Sequence, residues 1–225
     1  MMLQIRTNGG RPRTSGADRR ARRRADARLE ILRAAGRVFR VRGYSGASMR
    51  EIADEADLSA ANLYNYFRGK DEILYFCHNM TLDRLLGILN ETRKSRRPIE
   101  QRLHDLAVEH VLCVVGEVQG TSAHFEVDAL PPALRRKVVA KRDRFENGLR
   151  TLITQALRTR QLRQLDPAIA TRAFIGALNW TAQWYRPKGP LPARHVAEQV
   201  AEYAVSCLFS SSRNGGSVQD PRPTR

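Results

Sequence analysis

The stretch Ser48-Met49-Arg50-Glu51-Ile52-Ala53-Asp54-Glu55-Ala56-Asp57-Leu58-Ser59-Ala60-Ala61-Asn62-Leu63-Tyr64-Asn65-Tyr66-Phe67 contains two helix starts in close succession. Ser48 with Glu51 three residues later is a capping box, in which the hydroxyl takes a first-turn N–H and the carboxylate reaches back to the cap. The apolar pair Ile52-Ala53 follows, which predicts a short helix to about Ala56. After Asp57-Leu58, Ser59 caps another short helix running through Leu63 to Phe67. Two short helices joined by a tight turn meet the geometry of a helix-turn-helix, whose second member is narrow enough to enter a major groove.

Upstream, Leu32, Ala35 and Phe39 recur at helical spacing from Asp26. That helix is expected to end near Arg42, with Gly43 as a left-handed stop. Downstream, Asp71 with Ile73, Leu74 and Phe76 starts a long helix to about Lys94. Phe39, Ile52, Ala53, Leu58, Leu63 and Phe67 would knit the small helices together. Arg50, Ser59, Ala60, Ala61, Asn62, Tyr64, Asn65 and Tyr66 are left outside. Tyr64 and Tyr66 offer phosphate-bonding hydroxyls, Lys70 offers a cation, and Asn62 has the paired donor and acceptor that suit an adenine edge. The competing reading makes both tyrosines core and Lys70 a solvated charge.

The rest of the chain also has helical spacing. Pro98 opens a helix to about Val118, and Pro131-Pro132 introduces a basic amphipathic helix to about Arg160. Asp166-Pro167 is a cap followed by proline at the first helical position, opening a helix to about Tyr185. A last helix carries Val196, Val200, Tyr203 and Leu208. No run alternates with period two, so the expected fold is all-α. Four segments are expected. These are a basic disordered arm over 1–25, a helix-turn-helix domain over 26–70, a helical effector-binding and dimerisation domain over 71–210, and a flexible tail over 211–225.

Charge and composition narrow the partners. Lys and Arg total 39 against 23 acids, a formal net charge of +16. Such a surplus fits a polyanion, either nucleic acid or a membrane surface. The clustered helix-turn-helix favours double-stranded DNA, since lipid headgroups need only charge. The first 25 residues hold eight arginines and one acid, Asp18, a composition that cannot bury a core. This arm is expected to raise DNA affinity and salt sensitivity through counterion release. Within it, Gly10-Arg11-Pro12-Arg13 is similar to minor-groove hooks, so Arg11 and Arg13 either read a narrow groove or tether to phosphates. No apolar run approaches 20 residues, and no secretory signal is recognisable, so no membrane partner is expected and a cytoplasmic location is. Cys77, Cys113 and Cys207 form no paired motif, which suits a reducing compartment. His104 and His110 lie about 240° apart around a helix, so they cannot clasp one metal. Without a phosphate loop, nucleophile elbow or metal-ligand spacing, neither an enzyme nor a cofactor is expected, and a cofactor-free helical enzyme remains the distant alternative.

The motif Ser48 to Ala53, then Leu58-Ser59, Leu63 to Phe67 and Lys70-Asp71-Glu72-Ile73-Leu74 resembles the signature of the TetR family of transcriptional regulators. Two positions depart from that pattern. Asp57 stands for the usual turn glycine, and Ala61 for another frequent one. Aspartate tolerates left-handed backbone, so the turn should survive. The resemblance implies a homodimer on a near-palindromic operator, with Ser48, Tyr64 and Lys70 at phosphates and Arg50 with residues 60–62 near bases. It also implies a helical ligand-binding domain and release from DNA by a small molecule.

The stretches Asp166-Pro167-Ala168, Gly176 to Trp180 and Trp184 to Pro187 are similar to the acyl-CoA-sensing branch of the family. Ligand-binding candidates are Met80, His110, Cys113, Phe125, Phe145, Leu149, Phe174, Trp180 and Trp184, although such residues at helical spacing also fill cores. Arg135-Arg136-Lys137 and Lys141-Arg142-Arg144 either pair with CoA phosphates or form a solvated basic face. Ala170, Ala173, Phe174 and Ala177, with Ala197, Ala201 and Ala204, belong either to a four-helix dimer interface or to ordinary core. The expected inducer is an amphipathic small molecule such as an acyl-CoA thioester, and the alternative is a regulator of multidrug efflux.

Overall fold

In the computed structural model, residues 16–116, 126–159 and 165–209 are described. Eight α-helices occur among them: α1 Gly16–Gly46, α2 Met49–Glu55, α3 Ala60–Tyr64, α4 Lys70–Lys94, α5 Ile99–Val115, α6 Pro132–Thr159, α7 Pro167–Trp184 and α8 Ala193–Phe209. A 3-10 turn, Val127–Ala129, precedes α6. No strand occurs among the described residues, and the all-α expectation is met. Arg11, Arg13, Phe125 and the tail 211–225 lie outside the described residues.

The expected helix starts rest on the caps read from sequence. At Ser48 both halves of the capping box form. Ser59 accepts the Asn62 N–H, and Asp166 accepts from Ala168 and Ile169 ahead of Pro167. Asp57 adopts φ 55°, the left-handed turn that its glycine-like position demands.

Two differences concern α1. It starts at Gly16 rather than near Asp26, so residues 16–25 of the expected disordered arm are helical. Their alanines and arginines are strong helix formers, and the segment continues a helix that is anchored further along. The second difference is confined to ψ at Gly43. The helix breaks there as expected, with a positive φ of 69°, but ψ is 168°, a combination open almost only to glycine. A Cβ at Gly43 would meet nothing within 4 Å. Gly43→Ala should therefore destabilise the protein by about 1–3 kcal/mol through backbone strain alone. Thermal unfolding checks this, and an unchanged midpoint would mean that the kink relaxes.

The core has two parts. The first joins α1 to α4 through Ile31, Phe39, Ile52, Leu63, Phe67, Ile73 and Leu74. Val127, Leu130 and Val138 also belong to it, so this core extends past the expected boundary at residue 70. The second fills α4 to α8 around Leu89, Leu103, Leu106, Leu149, Ile153, Phe174 and Leu178. Helix α4 contributes Leu74, Cys77 and Leu82 to the first and Leu85 and Leu89 to the second. One rigid helix thus spans both cores. Helix α6 crosses it at Gly148, where any Cβ would collide with Leu89.

Candidate nucleic-acid interface and effector cavity

The small helix α3 is anchored by Leu63, which is fully buried. Its other residues, Ala60, Ala61, Asn62 and Tyr64, are exposed, as are Arg50 on α2 and the cap Ser59. Tyr64 is 55% exposed, so it is not the core residue of the competing reading. The exposed set contains a guanidinium, a carboxamide and a phenol, the chemistry that phosphates and base edges accept. The methyls of Ala60 and Ala61 suit thymine.

Three predicted DNA contacts have structural partners. Tyr66 is half-buried and packs against the head core, with the Arg24 guanidinium 5.9 Å from its ring. Part of its ring is therefore taken up by packing and part remains accessible. The Ser48 hydroxyl donates to Glu51 at 2.8 Å and accepts the Glu51 N–H at 3.2 Å. The Ser48 hydroxyl and the Ser48 backbone N–H, both donating to the carboxylate, hold the Glu51 carboxyl below its usual range.

Lys70 Nζ donates to the carbonyls of Tyr44 at 3.1 Å, Ser45 at 3.4 Å and Ala47 at 3.2 Å. An ammonium has three donors, so the solvated-charge alternative does not describe it. The cation closes the α1–α2 junction. Beside it the Tyr44 hydroxyl donates to Asp71, which ties that junction to the start of α4. Arg37 and Glu55, 2.6 Å apart, link α1 to α2.

Between α4, α5, α6 and α7 lies a cavity of about 280 Å³. Its apolar lining is Leu82, Leu85, Val114, Phe145 and Ile175, and its polar lining is Thr81, His110, Arg142, Glu146 and Asn179. His110 is 1% exposed and its Nε2 lies 2.8 Å from Asn179 Oδ1. Burial pushes the imidazole pKa down to about 4, against the opposing effect of that hydrogen bond. It is therefore neutral at physiological pH. Burial likewise lowers the pKa of Arg142. Glu146, the carboxylate of the lining, pairs with Arg150 and Arg172.

Of the predicted ligand-binding residues, His110 and Phe145 line this cavity. Leu149 and Cys113 are buried in the core around it, and burial pushes the Cys113 thiol up to about 11. Met80 packs against the other core. Phe174 lines a different groove, between α7 and α8. Trp180 and Trp184 are 60% and 46% exposed, because α7 turns their stripe away from the cavity. Thr81, Glu146, Ile175 and Asn179 were not among those expected, whereas Arg142 belongs to the basic run expected either to pair with CoA phosphates or to form a solvated face. A carboxamide in the middle of the apolar helix α7 was the signal for Asn179. The basic run on α6 divides: Arg142 lines the cavity, Arg135 pairs with Asp128 at 2.6 Å, and Lys141 binds Asn79 and Asp83 on α4.

The small residues of α7 and α8 divide as well. Ala170, Ala197, Ala201 and Ala204 are buried within the protomer, whereas Ala173 and Gly176 are exposed beside Ile169 and Trp180. Ile169 and Tyr203 are 69% and 68% exposed, so one apolar face crosses both helices. His104 sits near Asp105 and Glu202, away from His110. Among the described residues no group of three metal ligands occurs, and no helix is long and apolar enough to cross a membrane.

Residues 31–75 match the family described as bacterial regulatory proteins, tetR family, and residues 96–208 match the tetracyclin repressor-like C-terminal domain. The chain is 28% identical over 181 residues to the HTH-type transcriptional repressor KstR2 of Mycobacterium tuberculosis (strain ATCC 25618 / H37Rv). That alignment covers 76% of this chain and 88% of KstR2. Among solved structures it is similar to the TetR family transcriptional regulator PfmR from Thermus thermophilus, with 28% identity and a TM-score of 0.70 over 82% of this chain and 99% of PfmR. It is also similar to AibR in complex with isovaleryl coenzyme A and operator DNA, at 25% identity and a TM-score of 0.68. That match covers 81% of this chain and 98% of AibR.

Proposed function

The chain belongs to the TetR family of helix-turn-helix transcriptional regulators, and from that premise we propose that it is a homodimeric repressor released from its operator by an amphipathic ligand. The observation that carries the DNA reading is the exposed constellation of Arg50, Asn62 and Tyr64 around the buried anchor Leu63. Two such heads, related by a two-fold axis, suit a near-palindromic site with half-sites about 34–36 Å apart. The apolar α7–α8 face is the surface through which the protomers pair, since apolar patches of this kind favour burial.

Selection from genomic fragments with the purified protein should enrich one symmetric motif, and enrichment of none would end this reading. On that motif, Tyr64→Phe should weaken binding to all sequences alike by removing a phosphate contact. Asn62→Ala should instead relax preference at particular bases by about 1–3 kcal/mol each.

For the ligand, an acyl-CoA thioester is the leading class. Its acyl group would enter the apolar floor, with a polar atom near His110 and Asn179 and its anionic portion towards Arg142. A cavity of about 280 Å³ is at the low end for organic ligands, which favours a short, branched or cyclic acyl group over a long chain. Because α4 is shared by the cavity and the DNA-reading core, a ligand wedged against Thr81, Leu82 and Leu85 would shift the spacing of the two heads. By linkage, an inducer that weakens DNA binding tenfold binds the DNA complex about 1.4 kcal/mol less tightly than the free dimer. Titrating short, branched, ring-containing and long-chain CoA esters, with their free acids, into the complex tests this. Release by a cationic drug while every ester leaves the complex intact would favour the efflux-regulator reading.

A further inference from the structure

Helix α1 begins fifteen residues, about 22 Å of helix, before residue 31, where the family match starts. From Gly16 to Asp26 every residue is exposed, and burial along the helix begins only near Ile31. A helix this exposed is not there to build a core. Its apolar residues are only Ala17, Ala21 and Ala25, whereas Arg19, Arg20, Arg22, Arg23 and Arg24 crowd two turns. Asp18 is the one acid ahead of Asp26, so the segment keeps a strong positive surplus.

The direction of this extension is set by its base. Arg28 stacks over Phe67 at 4.6 Å and Phe76 at 4.3 Å. One turn earlier, Arg24 donates to the carbonyl of Asn65, just past the end of α3, at 3.2 Å. At about 100° per residue, Arg20 follows Arg24 on the same row and Arg19 and Arg23 form the row beside it. The arginine face therefore starts at the C-terminal end of the recognition helix and continues outward from it.

We infer that residues 16–24 form a second, sequence-independent DNA surface, a helical ladder of arginines that lies along the backbone phosphates flanking each half-site. This rests on the operator-reading role proposed for α3. Arginine forks match phosphate geometry, and a docked helix places them without the ordering that a disordered arm would require. An anionic lipid surface is the poorer fit, because interfacial helices need a wide apolar face and this one has three alanine methyls.

The test uses the full chain and its selected operator, comparing wild type with R19A/R20A/R22A/R23A. Alanine is the strongest helix former, and equal circular dichroism would show that α1 persists. Duplexes keep the core motif and carry long or trimmed flanks. The wild type should lose affinity on trimming, while the variant should be indifferent to it. The variant's salt dependence should be shallower by about 2–3 units of log–log slope per protomer, since Arg22 lies off the face that the other three share. Its footprint should shrink at both edges with the core still protected. Equal slopes and equal sensitivity to trimming in the two proteins would overturn the inference. If the wild type selects no motif at all, the operator reading falls first and the flanking surface with it.

Discussion

Trp180→Glu is expected to leave each protomer folded and to weaken operator binding by ~10²-fold or more, the scale on which joining two binding modules acts. Trp180 is 60% exposed on a face that it shares with Ile169 of α7 and Tyr203 of α8, so a charge there meets water in the isolated protomer. In a pair of protomers the same carboxylate would be buried against its symmetry copy. Like charges without partners are strongly unfavourable in such a place. Loss of the pair removes the second head from the DNA, although α3 itself is untouched. Sedimentation velocity and anisotropy on the operator measure both consequences. A variant that remains dimeric and binds normally would show that pairing uses another surface.

The double variant His110→Leu/Asn179→Leu is expected to abolish ligand release while sparing DNA binding, because it removes the polar pair from the cavity and leaves the reading head intact. Asn179→Leu alone should be the more damaging change to stability. It leaves a buried imidazole N–H without its acceptor, a loss of about 1–3 kcal/mol, whereas removing both partners together is nearer neutral. The pH dependence gives a second readout. His110 has a folded pKa of about 4, below its ordinary value of 6.5, so the unfolded chain binds a proton more readily. Its contribution to stability is then fully present above pH 6.5 and is lost as pH falls towards 4, by roughly 3 kcal/mol. Chemical denaturation between about pH 4 and 7 should show that acid loss in the wild type and a flatter profile in the double variant. Identical profiles would mean that other groups control the acid branch, and undiminished release would place the ligand elsewhere.

The local parts of this protein were legible in its residues. Ser48 with Glu51, Ser59, and Asp166 with Pro167 satisfy helix-end N–H groups using neighbours only a few positions away, so the caps needed no knowledge of the rest of the chain. Asp57 was likewise read correctly as a left-handed turn residue, because the turn's demand on backbone geometry is local. The outward face of α3 followed from helical period once Leu63 was taken as its inward anchor.

Tertiary structure decided which of several plausible partners each side chain meets. Lys70 is a cation in any reading, but only the approach of the α1–α2 junction brings three carbonyls to its ammonium. The tryptophans of α7 and the phenylalanine of α6 are equally apolar in sequence. The way α7 packs on α5, α6 and α8 sends Trp180 and Trp184 outward, while Phe145 stays beside His110. Asn179 and Arg142 became cavity residues for the same reason, since a pocket is the space left between helices and no single helix contains it. The start of α1 lies between the two cases. Its helix propensity is local, but where its arginines stand relative to α3 depends on Arg24 and Arg28 meeting Asn65, Phe67 and Phe76 far along the chain. Periodicity and caps act over one or two turns and can be read directly, whereas the rotation of each helix about its axis is set by how all the others pack against it.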